Sequence, residues 1–110
     1  MKKAVWLAYD FGFRGDYDGL YAWLDDHDAK ECADGLALLK YDVCKSEDIV
    51  EKLREDIAEN VQLSKRDRIY AIFLGPDRKM KGVFLFGRRK QAPWEGYGAG
   101  KAETIDEVEA

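Results

Sequence analysis

Three stretches of the 110-residue chain are apolar at nearly every position, and they constrain the fold more than any other feature. They read KAVWLAY at residues 3–9, RIYAIFL at 68–74 and GVFLFGRR at 82–89. Each is rich in β-branched and aromatic residues, and its apolar side chains occupy both alternating faces of an extended strand. Such strands belong in a sheet that is covered on both faces, and we expect the first of them to be central.

Two segments with helical spacing separate these strands. Asp16 is the expected N-cap of a helix that runs to about Asp26, and Ser46 is the expected N-cap of a second helix, with Glu47 and Asp48 in its first turn. The predicted buried positions are Tyr17, Leu20, Tyr21 and Leu24 in the first helix, and Ile49, Val50, Leu53, Ile57 and Val61 in the second.

The segment KECADGLALLKYDV contains Asp34-Gly35, a dipeptide that tight hairpin turns prefer. We interpret it as a short strand, a turn and a longer strand from Leu36 to Val43, with a single bent strand as the alternative. The resulting order predicts an α+β protein: a ferredoxin-like βαββαβ sandwich with an additional C-terminal strand and two helices on one face of an antiparallel sheet. The other sheet face must then be covered by a partner or by the chain's own tail.

We expect residues 1–90 to form this domain and residues 91–110 to form an irregular C-terminal arm with an acidic tail. No apolar run approaches the roughly 20 residues that span a bilayer, so we expect a cytoplasmic protein with no membrane partner. Cys32 and Cys44 lack the spacing of a zinc site, and His27 is the sole histidine. Two reduced, partly buried thiols are the favoured interpretation, and a disulfide between neighbouring strands is the alternative.

The charge is unevenly distributed along the chain. Residues 65–90 carry nine basic against two acidic residues, a net of +7, whereas residues 16–36 carry seven acidic against one basic, a net of −6. Arg88, Arg89 and Lys90 are followed closely by Trp94, a combination that can bind single-stranded nucleic acid through phosphate contacts and base stacking. Alternatively, the basic residues protect an edge strand, and Trp94 fastens the arm to the core or to a second subunit.

Asp10, Asp16 and Asp18 lie within nine positions, and several carboxylates together could hold Mg²⁺. Their separate placement offers another explanation, because Asp10 ends a strand, Asp16 caps a helix and Asp18 lies in its first turn. His27 falls at a helix end without a Ser or Cys nucleophile at a recognisable spacing, so we do not assign it a catalytic role.

The element order and lengths over residues 3–87, with Tyr9 and Asp10 closing the first strand, resemble the small dimeric proteins of CRISPR spacer acquisition and related toxin endoribonucleases. In that family the aspartate ending the first strand is proposed to bind a divalent metal, and two sheets pack face to face. The resemblance implies a metal site at Asp10, with Mg²⁺ as the candidate ion, and a homodimer. This chain has Asp16 and Asp18 where the family carries arginines.

We therefore expect a small accessory protein that binds nucleic acid through Arg88, Arg89, Lys90 and Trp94, and one form of this hypothesis is a metal-dependent nuclease with Asp10 as the metal ligand. The alternative is a non-enzymatic protein-interaction or regulatory module. The expected partners are a second copy of the chain, bound through the sheet face or the C-terminal arm, and single-stranded nucleic acid.

Overall fold

A computed structural model describes residues 1–98 of the chain. It contains one five-stranded antiparallel sheet and two helices, so the predicted α+β class with an added C-terminal strand is confirmed. The strand order across the sheet is β2-β3-β1-β4-β5. The elements are β1 (Lys2–Asp10), α1 (Tyr17–Asp26), β2 (Lys30–Ala33), β3 (Leu36–Asp42), α2 (Ile49–Asn60), β4 (Arg68–Leu74) and β5 (Met80–Phe86).

Strand β1 is central, as predicted, because it pairs with β3 on one side and β4 on the other. Its alternate residues Val5 and Leu7 are buried in one hydrophobic core with helix residues such as Leu20 and Leu53. Burying a side chain of this size contributes about 1.5–3 kcal/mol. Both helices share this core, so one face of the sheet is packed against them.

The two helix caps differ in how well they were predicted. The Asp16 carboxylate accepts a hydrogen bond from the Gly19 N–H, which confirms it as the N-cap of α1. The prediction of Ser46 as the N-cap of α2 is wrong, since α2 begins at Ile49 and Asp48 caps it by accepting from the Val50 N–H. Both residue types suit an N-cap, so sequence preference alone did not separate the two positions.

The buried face of α1 also differs from the prediction. Leu20 and Leu24 are buried as expected, but the third core residue is Trp23, while Tyr21 is 51% exposed and Tyr17 is half-buried. The helix is therefore rotated toward Trp23, and the tyrosines are left at the margin of the core. In α2 the predicted Ile49, Leu53 and Ile57 are buried and Val50 is half-buried, and the predicted Val61, which follows the helix as its C-cap, is also buried.

Gly35 makes the turn between β2 and β3, with φ at +75°. Its carbonyl accepts a hydrogen bond of 2.8 Å from the Tyr9 N–H, and a Cβ at this position would lie 2.7 Å from the Tyr9 carbonyl oxygen. Glycine is therefore required twice, for its conformation and for its close approach to β1. The predicted hairpin is confirmed, and the single bent strand is wrong.

The second face of the sheet, which we call the open face, is not covered by a helix within residues 1–98. Trp6 lies opposite Leu38 on one neighbouring strand and Ile72 on the other, and all three are half-buried. Tyr70 and Phe84 pair across β4 and β5 with ring centroids 4.7 Å apart. The open face is therefore apolar and aromatic, as the sequence predicts for a face that needs a covering partner.

Residues 91–98 contain turns and neither helix nor strand, and the remainder of the predicted arm and tail, residues 99–110, lies outside the described residues. Cys32 and Cys44 are free and exposed, so the prediction that they are partly buried is wrong and they form no disulfide with each other. No helix within residues 1–98 has the length and apolar character needed to cross a membrane.

Candidate functional site

Basic side chains from two distant parts of the chain meet beside the end of β1. They surround a concavity of about 480 Å³, which we call the basic groove. Its single carboxylate belongs to Asp10, and Phe11 and Gly12 complete the wall from the same segment. The basic residues that line it are Lys65, Arg66, Arg68, Arg88, Arg89 and Lys90.

The sheet brings these segments together because β4 lies antiparallel to both of its neighbours. Arg68, at the start of β4, lies directly opposite Asp10 at the end of β1. The end of β5 lies beside the start of β4, with Ile69 opposite Phe86. Gly87 follows with φ at +78°, a conformation that glycine adopts readily and that turns the chain out of the sheet before Arg88.

Asp67 holds the loops of the basic groove in place. It is 1% exposed, and one carboxylate oxygen accepts from the Gly12 N–H at 3.3 Å while the other accepts from the Ser64 N–H at 2.8 Å. Gly12 lies in the β1–α1 loop, and Ser64 lies in the loop that precedes β4. A single buried carboxylate therefore ties together the two loops that carry Gly12, Lys65 and Arg66.

Asp10 is engaged by cations from both segments. Its Oδ2 forms a salt bridge with the Arg68 guanidinium and lies 3.9 Å from the Lys90 ammonium. One carboxylate among six basic side chains leaves the groove strongly positive. This arrangement favours an anionic ligand, and it repels a divalent cation that approaches Asp10.

Asp16 and Asp18, the two aspartates that follow Asp10 in the sequence, lie in separate positions. Asp16 accepts from the Gln62 N–H at 2.9 Å as well as from Gly19, and these backbone hydrogen bonds lower the pKa of its carboxyl group. Asp18 is exposed in the first turn of α1. Among residues 1–98 no three His, Cys, Asp or Glu side chains are grouped so that they could hold a metal ion. A metal role for Asp10 alone stays a prediction.

The structure assembles the predicted nucleic-acid residues only in part. Arg88, Arg89 and Lys90 all line the basic groove, and the Arg89 guanidinium lies 5.6 Å from the centre of the Phe84 ring on the open face. Trp94 is 73% exposed and does not line the groove. The sequence indicates only that Lys65, Arg66 and Arg68 belong to a basic stretch. It does not show that they lie beside residues 88–90, because that proximity depends on the pairing of β4 with β5.

A second concavity, of about 630 Å³, is also lined by Asp10, and we call it the tyrosine pocket. The rings of Tyr9, Tyr17 and Tyr21 line it together with the acidic residues Glu31 and Asp34. Sequence reasoning missed this pocket because the helical spacing of Tyr17 and Tyr21 indicated core positions. The acidic net charge of residues 16–36 was the signal that could have suggested it.

His27 belongs to a polar cluster between α1, β3 and α2. Its Nδ1 lies 2.8 Å from the Trp23 carbonyl oxygen, and its Nε2 lies 3.6 Å from the Asp56 carboxylate. The Tyr41 hydroxyl donates to the same Asp56 carboxylate at 2.8 Å. Burial and this acidic neighbour raise the pKa of Tyr41 well above its ordinary value. These contacts join three elements and give His27 a structural setting.

Comparisons with known proteins return no match for this chain, whether with protein-family models, with curated proteins or with solved structures.

Proposed function

We propose that this protein binds single-stranded nucleic acid, with the phosphates held in the basic groove. The observation that carries the proposal is the convergence of six basic side chains on one concavity in a chain whose formal net charge is −4. A high overall positive charge does not explain this grouping of basic side chains, because the chain as a whole is negatively charged and repels polyanions. Neutralising phosphates releases counterions, which gives a binding energy that does not depend on sequence.

A single strand fits the surroundings better than a duplex. The groove has a volume of about 480 Å³, which accommodates a few consecutive phosphates of one strand. Tyr70 and Phe84 lie on the open face beside Arg89. An unpaired base that leaves the groove therefore meets aromatic rings on which it can stack, and each stacked base contributes about 1–3 kcal/mol.

The test is the salt dependence of binding to a fluorescein-labelled 15-nucleotide RNA or DNA, measured by anisotropy. For single strands the logarithm of affinity falls with the logarithm of salt by about 0.7 per phosphate contacted. Replacing Arg88, Arg89 and Lys90 together with Gln removes three cations and is expected to reduce this slope by about 2.

The matched control replaces Arg78, Lys79 and Lys81 with Gln. Arg78 and Lys79 lie in the β4–β5 turn and Lys81 lies at the start of β5, all at the opposite end of β4 from Arg68, so the overall charge changes equally while the groove is untouched. The control variant is expected to keep the wild-type slope. Equal losses in both variants, or no salt-dependent binding by the wild-type protein, would refute the proposal.

A second candidate function, protein interaction through the open face, is favoured by the apolar side chains Trp6, Leu38 and Ile72. Five strands of about seven residues present roughly 550 Å², so two copies packed face to face would bury about 1,100 Å², near the lower limit for a specific interface. If the wild-type protein is a homodimer, light scattering should show that the Ile72→Lys variant is monomeric. The Ala58→Lys variant, which changes the exposed surface of α2, should remain dimeric. Wild-type protein that is monomeric at every concentration would exclude the homodimer.

A further inference from the structure

The tyrosine pocket has a chemistry opposite to that of the basic groove. Asp10, Glu31 and Asp34 line it against a single base, Lys30, together with Tyr9, Tyr17 and Tyr21. Because Asp10 is paired with Arg68, the excess negative charge of the pocket comes from Glu31 and Asp34. An anion is therefore repelled from this pocket. Its volume of about 630 Å³ falls within the range that small-molecule ligands occupy, about 300–1,000 Å³.

The ring of Tyr21 is coplanar with neither of the other two tyrosine rings. Tyr9 and Tyr21 have centroids 6.4 Å apart at an interplanar angle of 74°, and Tyr17 and Tyr21 have centroids 5.6 Å apart at 47°. The face of an aromatic ring carries negative charge density and attracts a cation within about 6 Å of its centroid. Rings that are not coplanar can contact one cation from several directions.

Two of the rings are fixed before any ligand arrives. The Tyr17 hydroxyl donates to the Phe11 carbonyl at 3.1 Å. Tyr9 belongs to β1, its N–H donates to the Gly35 carbonyl, and its ring contacts the edge of Phe11 with centroids 6.5 Å apart. Tyr21 is 51% exposed and completes the wall from the α1 side. Binding to fixed rings costs little conformational entropy.

Tyr9 lies in a half-buried setting beside Tyr21 and Glu31. Burial and the neighbouring Tyr21 raise the pKa of the Tyr9 hydroxyl, and the nearby charge of Glu31 raises it further. A hydrated divalent ion gains little from aromatic walls, since it prefers several oxygen ligands. An organic ammonium ion gains from both the rings and the carboxylates, and its alkyl groups need no hydration.

We propose that the tyrosine pocket binds a small organic ammonium ion, held by the rings of Tyr9, Tyr17 and Tyr21 and by the carboxylates of Glu31 and Asp34. This site is separate from the nucleic-acid proposal and does not rest on it. The ligand class is a compact alkylated amine, and the pocket selects it by charge and by shape together.

The experiment titrates full-length protein with choline and, separately, with 3,3-dimethyl-1-butanol, which has the same shape without the charge. Binding is followed by the ring resonances of ¹³C-labelled tyrosine. We expect choline to shift the resonances of Tyr9, Tyr17 and Tyr21 saturably and the neutral alcohol to bind at least about 5-fold more weakly, the scale of one cation–π contact. Equal affinity for the two probes, or shifts that do not saturate, would overturn the proposal.

Variants identify the groups responsible. Tyr21→Ala removes a half-exposed ring and is expected to weaken choline binding by about 5- to 30-fold, whereas Tyr21→Phe keeps the ring face and stays within about threefold. Glu31→Gln weakens it by about twofold to fivefold, as expected for an exposed charge. Tyr97→Ala, at a tyrosine that is 86% exposed in the arm, is the matched control and keeps wild-type affinity.

Each variant is first checked for an unchanged amide spectrum, and the exposed Glu31→Gln supplies a second readout if Tyr21→Ala perturbs α1. Wild-type affinity in both Tyr21→Ala and Glu31→Gln would overturn the assignment. The same variants should retain wild-type affinity for labelled RNA, so failure of this proposal and failure of the nucleic-acid proposal give different results.

Discussion

Replacing Asp67 tests whether one buried carboxylate holds the frame of the basic groove. The side chain is 1% exposed and accepts hydrogen bonds from the Gly12 and Ser64 N–H groups. Asp67→Ala leaves both donors without a partner inside the protein. A buried donor that loses its partner costs about 1–3 kcal/mol, and hydrogen bonds to a charged group lie in the upper part of this range.

We expect Asp67→Ala to lower the free energy of unfolding by about 3 kcal/mol, a large part of the 5–15 kcal/mol typical of a domain. Asp67→Asn keeps one acceptor oxygen but turns an amide donor toward the other N–H, so we expect a loss of about 1–2 kcal/mol. Urea unfolding followed by Trp fluorescence measures both, and a 3 kcal/mol loss moves the midpoint by about 1–3 M for typical slopes.

Asp26→Ala serves as the control, because Asp26 is an exposed acid at the end of α1 and such substitutions usually stay within about 0.5 kcal/mol. Amide hydrogen exchange gives an independent local readout, since the Gly12 and Ser64 amides should exchange faster in the Asp67 variants. If Asp67→Ala unfolded at the same urea concentration as the wild-type protein, with those two amides still protected, the carboxylate would not be holding the two loops.

Two further predictions concern the turn at Gly35 and the cluster around Tyr41. Gly35→Ala adds left-handed backbone strain of about 1–2 kcal/mol and a clash with the Tyr9 carbonyl. Gly96→Ala, at φ +88° with no atom within 4 Å of a Cβ, adds the strain alone. The urea midpoint should therefore fall further for Gly35→Ala, and equal losses in the two variants would exclude the clash. The raised pKa of Tyr41 means that its stabilising contribution is complete below the unfolded value of about 10 and is lost as the pH rises beyond it. Tyr41→Phe should therefore flatten the fall in stability above about pH 10, and parallel pH profiles for the two proteins would contradict this.

Local rules were sufficient for much of the fold. Nearly continuous apolar runs rich in β-branched and aromatic residues located β1, β4 and β5, and Asp34-Gly35 located a turn whose conformation and close contact both need glycine. The cap at Asp16 followed from its short side chain before a helical pattern. These features depend on neighbours within a few positions, so the sequence carries them directly.

Contacts between distant residues could not be predicted in the same way. Asp67 stands among basic residues in a loop, and nothing in RDRIY indicates that its carboxylate is buried against Gly12, 55 positions away. The rotation of α1 is a similar case. Tyr17, Tyr21 and Trp23 are all aromatic, and the choice of Trp23 for the core depends on packing against Tyr41, with ring centroids 6.2 Å apart. That choice placed two tyrosines at the margin and created the tyrosine pocket.

Asp10 lines both the basic groove and the tyrosine pocket, so its substitution should affect the two proposed ligands in opposite directions. Asp10→Asn frees Arg68 and Lys90 from their carboxylate partner, which should tighten binding of labelled RNA by about twofold to fivefold. The same change removes negative charge from the tyrosine pocket and should weaken choline binding by a similar factor.

The metal hypothesis for Asp10 predicts a different pattern. If the carboxylate holds Mg²⁺ for cleavage, Asp10→Asn abolishes Mg²⁺-dependent cleavage and weakens Mg²⁺-dependent RNA binding. Measurements of RNA affinity with and without Mg²⁺ therefore separate a carboxylate that moderates a cationic groove from one that ligates a metal.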